Sequence, residues 1–125
     1  MLICNAFSLN MLDTLDVDVR VRPLTLIQAQ AIAANGLESA VGHADTAAVF
    51  SAELGVEVPA NRVTLTLGSG DMVLVGQYRG PRLTEGATEL PNGARIEWAI
   101  VELWEPSVLA DDEDPEFYAR LAERR

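Results

Sequence analysis

The fold class is decided by residues 17–36, VDVRVRPLTLIQAQAIAANG, where the spacing of the apolar residues changes from that of a strand to that of a helix. Val17 to Val21 alternates apolar and charged side chains, which is the two-residue period of a half-exposed strand. Pro23 is expected to end this strand because proline has no N–H to donate to a sheet. Thr25 is a suitable helix N-cap, and the apolar residues of Leu26 to Ala34 recur at helical spacing. A strand followed directly by a helix indicates a mixed α/β domain.

The other elements are predicted from the same two periods and from the turn residues between them. They are a buried first strand at Leu2 to Phe7, a helix from Ala44 to Leu54 with Gly55 as its C-cap, a hairpin of strands Arg62 to Leu67 and Met72 to Tyr78 joined at Gly68-Ser69-Gly70-Asp71, and a last strand at Ile96 to Leu103. The sequence therefore predicts one α/β domain over residues 1–105, with a mixed β-sheet flanked by helices. Residues 106–125 are predicted to form an acidic tail in which Asp114-Pro115 starts a short helix.

Composition limits the partners and the location of the protein. The 125 residues are 49% hydrophobic, enough for a core, and carry a net charge of −10. Six acids follow Glu105: Asp111, Asp112, Glu113, Asp114, Glu116 and Glu123. This acidity disfavours duplex nucleic acid as a partner, but it leaves room for a small anion in a local basic pocket. No apolar run is long enough to cross a membrane and no signal peptide is recognisable, so a cytoplasmic protein is predicted.

The basic residues and the longest loop suggest where such an anion could bind. All nine basic residues are arginines, which reflects either compositional bias or selection for bidentate phosphate contacts. Four of them lie in the middle of the chain: Arg62, Arg79, Arg82 and Arg95. The segment from Arg79 to Arg95 is rich in Gly and Pro and also carries Glu85 and Glu89. Loops of about 15 residues are usually functional or disordered, and both alternatives stay open for this one.

Three further features bear on chemistry. His43, the only histidine, lies where a loop meets a helix, and a helix start attracts anions while imidazole transfers protons near neutral pH. A purely capping or packing role for His43 is the alternative. Asn5 to Asn10 places polar side chains after the first strand, where α/β proteins usually bind ligands, although an ordinary turn has the same composition. A single histidine and a single cysteine, Cys4, exclude a histidine-rich or cysteine-based metal site, and Cys4 is expected to be buried and inert.

Several motifs, in order, resemble those of the viral ring nuclease family, the type III anti-CRISPR proteins of archaeal viruses, phages and some bacterial CRISPR loci. The motifs are Asn5-Ala6-Phe7-Ser8-Leu9-Asn10, Ser39-Ala40-Val41-Gly42-His43 with Thr46, Asn61-Arg62-Val63, and Arg82-Leu83-Thr84-Glu85-Gly86. The resemblance covers about residues 1 to 105. It implies a homodimer that binds cyclic tetra-adenylate across its two-fold axis and needs neither metal nor another cofactor.

The resemblance also implies a role for each matching residue. The ligand's own ribose 2′-hydroxyl attacks the adjacent phosphorus, and the products are linear di-adenylates with 2′,3′-cyclic phosphate ends. His43 is the expected general acid, Arg82 stabilises the phosphorane, and Glu85 orients groups or accepts a proton. Asn5 and Ser8 are expected to hold the ribose and the scissile phosphate, with Gly42 and Arg79 as further ligand contacts. Arg82 is preferred to Arg79 as the catalytic arginine because it keeps the three-residue step to Glu85. A binding protein without turnover, a sponge or sensor, is the alternative function.

Overall fold

The computed structural model describes residues 1–106 and 115–124 of the chain. The elements in chain order are β1 (Leu2–Cys4), a 3₁₀ helix (Leu9–Met11), β2 (Asp18–Leu24), α1 (Leu26–Ala33), β3 (Glu38–Ser39), α2 (Ala44–Leu54), β4 (Met72–Arg79), β5 (Arg95–Trp104) and α3 (Pro115–Leu121). Of the acidic tail, residues 107–114, which include Asp111, Asp112, Glu113 and Asp114, lie outside the described residues. None of the described helices has both the length and the hydrophobicity needed to span a membrane.

The strands form a five-stranded mixed sheet in the order β2-β5-β4-β1-β3. Strand β1 pairs in parallel with β3 on one side and with β4 on the other. Strand β5 is antiparallel to both β4 and β2. The predicted α/β class, with a mixed sheet flanked by helices, is therefore confirmed.

The two faces of the sheet are covered in different ways. Helices α1 and α2 pack on one face, where Ala29 and Phe50 meet the strand residues Ile3, Leu74 and Ile100. The other face carries a second apolar cluster, to which extended segments of the chain contribute. Its buried members are Cys4, Leu67, Val73, Val75, Val101 and Leu103, with Leu2, Phe7, Met11, Leu12, Val17, Ala40 and Leu65 packed around them.

Helices α1 and α2 both begin where the sequence predicts, and α2 also ends there, whereas α1 ends at Ala33, one residue before the predicted Ala34. The Thr25 hydroxyl accepts from the Gln28 N–H at 3.2 Å, and the Gln28 side chain accepts from the Thr25 N–H at 2.8 Å, so a reciprocal capping box starts α1. Helix α2 occupies the predicted residues, and Gly55 ends it with a φ of 71°.

Helix α2 approaches the sheet closely at one point. Phe50 packs on Trp98 with ring centroids 5.0 Å apart, and Trp98 lies directly opposite Gly76 in the β4–β5 pair. A Cβ atom at Gly76 would lie 2.6 Å from the Phe50 ring and 2.7 Å from the Trp98 ring. Only glycine leaves room for both rings here, so residue 76 sets how close α2 lies to the sheet.

The predicted hairpin at residues 62–78 is wrong. Gly68 and Asp71 do form a turn, closed by a bond from the Asp71 N–H to the Gly68 carbonyl at 3.0 Å. However, β4 pairs with β1 and β5, and residues 62–66 form no strand. Leu65 and Leu67 instead pack an extended segment onto the second face of the sheet. The alternation of apolar residues shows only that one side of the segment is buried. A paired strand and an unpaired extended segment that packs on a sheet both have this pattern.

Two strand boundaries also differ from the prediction. Strand β2 continues through Pro23 to Leu24, because β2 is an edge strand and proline is tolerated where an N–H would face solvent. Strand β1 ends at Cys4, and Phe7 leaves the sheet to join the second cluster. Strand β3 was not predicted, since two residues are too few to show a period.

Cys4 is buried, as the sequence suggested for an inert cysteine. Its thiol donates to the Ala6 carbonyl at 3.1 Å. Burial raises the pKa of the Cys4 thiol, although the bond to the Ala6 carbonyl acts in the opposite direction. The thiolate, which is the reactive form, is correspondingly disfavoured.

We expect Gly76→Ala to lower the free energy of unfolding by about 1–3 kcal/mol, because the added methyl group must displace two packed rings. Urea denaturation measures the change. In a Phe50→Leu background the same substitution should cost less, because the shorter side chain leaves room for the methyl group. Equal costs in both backgrounds would contradict the assigned contact.

Candidate functional site

The parallel strands bring three chain segments to one edge of the sheet. Because β1, β3 and β4 run in the same direction, the residues that follow them emerge at the same edge. Asn5 follows β1, Gly42 and His43 follow β3 after a short connection, and the loop of residues 80–94 follows β4. The carboxyl ends of parallel strands are where open α/β sheets usually bind ligands.

His43 is the residue that precedes helix α2. It holds the N-cap position with an extended backbone (φ −113°, ψ 131°), and its carbonyl accepts from the Ala47 N–H at 3.0 Å. The imidazole makes no capping bond, is exposed, and has no hydrogen-bond partner among residues 1–106 and 115–124. The backbone alone starts the helix, so the imidazole is available to a ligand. The N–H groups of the first helical turn, from Ala44 onward, lie beside it.

An open cleft of about 830 Å³ lies in front of His43. Its lining combines the start of α2, the end of β4 and the first part of the long loop. The lining residues are His43, Asp45, Thr46, Tyr78, Gly80, Arg82, Leu83 and Glu85. The cleft therefore brings together the three predicted catalytic residues, His43, Arg82 and Glu85. Its volume is within the range of small-molecule sites.

The long loop is tied to the body of the protein on both sides of Arg82 and Glu85. The Tyr78 hydroxyl donates to the Pro81 carbonyl at 2.5 Å. The Gly86 N–H donates to the Asp45 carboxylate at 2.9 Å. Arg82 and Glu85 lie between these two points, are exposed, and form no ion pair with other described residues.

Arg79 is not brought into the cleft. It is the last residue of β4, and its Nε lies 2.8 Å from the Glu97 carboxylate on β5. Arg79 lines a separate groove of about 300 Å³ together with Phe7 and Val75, which belong to the opposite face of the sheet. Of the two arginines that the sequence offered beside Glu85, Arg82 lines the same cleft as His43.

Asn5 and Ser8 do not line this cleft either. Asn5 is half-buried at the end of β1. Ser8 is exposed and precedes the 3₁₀ helix, with its carbonyl accepting from the Met11 N–H at 3.1 Å and its hydroxyl making no capping bond. Within one chain, the predicted contacts to ribose and phosphate are thus separate from the histidine cleft.

Arg62 is a neighbour of this site that the sequence interpretation did not include among the site residues. The Asn61 side chain donates to the Ser39 carbonyl at 2.8 Å, and the Asn61 N–H donates to the Val41 carbonyl at 2.8 Å. These bonds place Arg62 beside Gly42, where a Cβ atom would lie 3.4 Å from the Arg62 Cγ. Arg62 is exposed and forms no ion pair within the described part of the chain. The motif Asn61-Arg62-Val63 was the available signal.

The arrangement offers acid–base and electrostatic chemistry on an anion. An exposed imidazole, an arginine that forms no ion pair with the described residues, and a carboxylate share one cleft at a helix start. Among the described residues, no three His, Cys, Asp or Glu side chains gather in a group that could hold a metal ion. The fold and the site define a small α/β domain with an open cleft that combines an imidazole, a guanidinium and carboxylates at a helix start.

The chain belongs to the STIV B116-like family, whose sequence model matches residues 1–94. Among solved structures, it is similar to B116 of Sulfolobus turreted icosahedral virus, with a TM-score of 0.67 and 24% sequence identity. That match covers 81% of this chain and 97% of B116. A search among curated proteins finds no match.

We expect Asn61→Ala to lower the free energy of unfolding by about 1 kcal/mol, because it removes the bond to the Ser39 carbonyl. Chemical denaturation measures the change. Asn92→Ala is the matched control, since Asn92 is exposed and takes part in none of the described side-chain hydrogen bonds. Equal stability of the two variants would show that the Asn61 amide does not hold this segment.

Proposed function

We propose that the protein is a metal-independent ring nuclease that cleaves cyclic tetra-adenylate to linear di-adenylate and so switches off type III CRISPR signalling. The observation that carries the proposal is the cleft in which His43, Arg82 and Glu85 meet from separate parts of the chain. Membership of a family with a viral structural relative supports a viral anti-CRISPR role. A second messenger of this kind is made inside the cell, so the proposed site of action is the cytoplasm.

The proposed reaction is an internal transesterification. The 2′-hydroxyl oxygen of one ribose attacks the adjacent phosphorus, a new O2′–P bond forms, and the P–O5′ bond breaks. Glu85 accepts the proton of the attacking hydroxyl, and His43 donates a proton to the departing O5′. Arg82 balances the charge that develops on the phosphorane. Because the nucleophile belongs to the ligand, catalysis requires only positioning, proton transfer and electrostatic stabilisation.

The local structure suits these roles. The His43 imidazole is exposed and has no hydrogen-bond partner in the described part of the chain, as a group must be to meet a leaving oxygen. The helix start beside it favours a negatively charged phosphate through backbone N–H groups and the helix dipole. Arg62, which packs beside Gly42, the residue before His43, supplies a second guanidinium. Arg62 and Arg82 form no ion pair with other described residues, and two such arginines are useful for an anion that carries several phosphates.

We propose that the active form is a homodimer. A cyclic tetranucleotide presents repeated, symmetry-related phosphates, and two copies of one cleft match them around a two-fold axis. A partner subunit would also allow Asn5 and Ser8, which lie outside the cleft of their own chain, to contribute to ligand binding. Apolar surface is available for association, because Val21 on the edge strand β2 is 61% exposed and Val19 on the same face is 38% exposed.

A non-catalytic binding protein, a sponge or sensor for cyclic oligoadenylate, is the second candidate. It is favoured by the open shape of the cleft, but it has no need of a general acid such as the His43 imidazole. The deciding experiment incubates the protein with radiolabelled cyclic tetra-adenylate in EDTA and separates the products. Linear di-adenylate with a cyclic phosphate end supports the nuclease. Binding without products supports the sponge, and an absence of binding contradicts both.

We expect His43→Ala to bind the ring normally but to lose at least about 100-fold in single-turnover rate, because the leaving oxygen loses its proton donor. His43→Asn is the control for the helix start, since asparagine is a good N-cap but no general acid. Both variants should be equally slow. A rate close to that of the wild type in either would remove His43 from the mechanism.

We expect Arg82→Ala to lower the single-turnover rate by about 100-fold or more, because the phosphorane loses a charge partner. Arg79→Ala should change the rate little, since the Arg79 guanidinium already pairs with Glu97. The two variants remove the same charge at positions three residues apart. Similar rates for both would mean that the cleft does not distinguish these arginines.

A further inference from the structure

We propose that Asp45 is a positioning residue, which anchors the loop of residues 80–94 so that Arg82 and Glu85 face His43. The catalytic meaning of this anchor rests on the proposed function, whereas the anchor itself can be measured without any reaction. Asp45 belongs to none of the sequence motifs that indicated a site.

The contact joins two distant parts of the chain. The Asp45 Oδ1 atom accepts from the Gly86 N–H at 2.9 Å across 41 residues of sequence. Asp45 lies in the first turn of α2, two residues after His43. Of the hydrogen bonds described for residues 80–94, this is the one that connects the loop to helix α2. One bond thus couples the helix that carries His43 to the loop that carries Glu85.

The loop end of the contact is itself a defined turn. The Ala87 N–H donates to the Thr84 carbonyl at 3.1 Å, so Glu85 and Gly86 are the central residues of a four-residue turn. Gly86 has a φ of +81°, which is the conformation expected at the third position of a type II turn. The bond that closes this turn does not use the Gly86 N–H, which donates to Asp45 instead. Fixing the Gly86 N–H therefore fixes the backbone on which Glu85 is mounted.

A second tie limits the loop on the other side. The Tyr78 hydroxyl donates to the Pro81 carbonyl, directly before Arg82. Arg82 and Glu85 lie between the Pro81 and Gly86 attachment points, and Tyr78 and Asp45 both line the cleft. A four-residue stretch held at both ends has much less conformational freedom than one held at a single end. Loss of the bond between Asp45 and Gly86 should therefore increase the mobility of Glu85 more than that of Arg82, which is next to the Pro81 attachment point.

The charge of Asp45 argues that this residue acts on the protein and not on the ligand. A carboxylate in a cleft for a phosphate ester repels the ligand, so direct contact between Asp45 and the anion is disfavoured. The negative charge instead strengthens the hydrogen bond from the Gly86 N–H, because a charged acceptor forms a stronger hydrogen bond than a neutral one. Asparagine at position 45 keeps an acceptor oxygen without the charge, and alanine removes both.

The test compares Asp45→Asn, Asp45→Ala and the control Glu57→Ala, which removes an exposed acid beyond the far end of α2. NMR follows the hydrogen exchange of the Gly86 amide and the backbone order of residues 82–87. Single-turnover cleavage and equilibrium binding of cyclic tetra-adenylate follow function. Both Asp45 variants lose the favourable charge at the helix start, so their thermal midpoints control for the stability of α2.

We expect the Gly86 amide to exchange faster and residues 82–87 to lose order in Asp45→Ala, to a smaller extent in Asp45→Asn, and not in Glu57→Ala. The single-turnover rate of Asp45→Ala should fall by about 10- to 100-fold through misplacement of the reacting groups, while the ring still binds. Asp45→Asn should keep most of the rate and bind the ring as tightly as the wild type or more tightly.

Two results would overturn the proposal. Unchanged exchange at Gly86 in Asp45→Ala would show that there is no anchor. A more mobile loop with an unchanged cleavage rate would show that the anchor exists but does not position Arg82 and Glu85 for the reaction. If the wild-type protein does not cleave the ring at all, the proposed function fails. The exchange measurement then still decides the anchor, because faster exchange in Asp45→Ala supports it and unchanged exchange contradicts it.

Discussion

The close approach of helix α2 to the sheet is the constraint on which the rest of the structure depends. Phe50 reaches the sheet at Gly76 and packs on Trp98, and a side chain at residue 76 would push the helix outward. Rigid packing transmits such a displacement, because protein interiors are as dense as organic crystals. The position of His43, at the N-terminus of α2, therefore depends on the apolar contact that Phe50 makes from the same helix.

The parallel pairing of β1 with both β3 and β4 determines which chain segments lie near the start of helix α2. Segments that are far apart in sequence emerge at one edge of the sheet, and hydrogen bonds between them then define a cleft. Asn61 holds the segment that carries Arg62, and Asp45 holds the loop that carries Arg82 and Glu85. Polar contacts thus arrange the charged groups, while the two apolar clusters supply the stability on which those contacts are built.

Much of the fold could be predicted from the sequence, because its elements have clear periods and caps. Thr25 and Gly55 mark helix ends that the structure reproduces. The wrong hairpin shows the limit of this method, since Leu65 and Leu67 alternate like strand residues but only pack against one face. An alternating pattern reports which side is buried, and it does not reveal whether a neighbouring strand is present.

The site was less accessible to sequence reasoning than the fold. His43 could be singled out because it is unique and precedes a helix, and the cleft around it includes the expected Arg82 and Glu85. That Arg82 lines the cleft while Arg79 pairs with Glu97 could not be read from the sequence, because this ion pair depends on the register of β4 and β5. The bond between Asp45 and Gly86 has no local signature, because it joins groups that only the complete fold brings together.

The register of β4 and β5 also affects how this family can diversify. Arg79 and Arg95 face each other in the sheet, so the loop of residues 80–94 leaves and re-enters the fold at adjacent positions. Lengthening a loop whose ends are already fixed costs little conformational entropy. Insertions, deletions and exchanges can accumulate in its second half, beyond the Gly86 attachment point, while the strands below keep their pairing. This second half can therefore differ between relatives without any change in the sheet or in the part of the loop that carries Arg82 and Glu85.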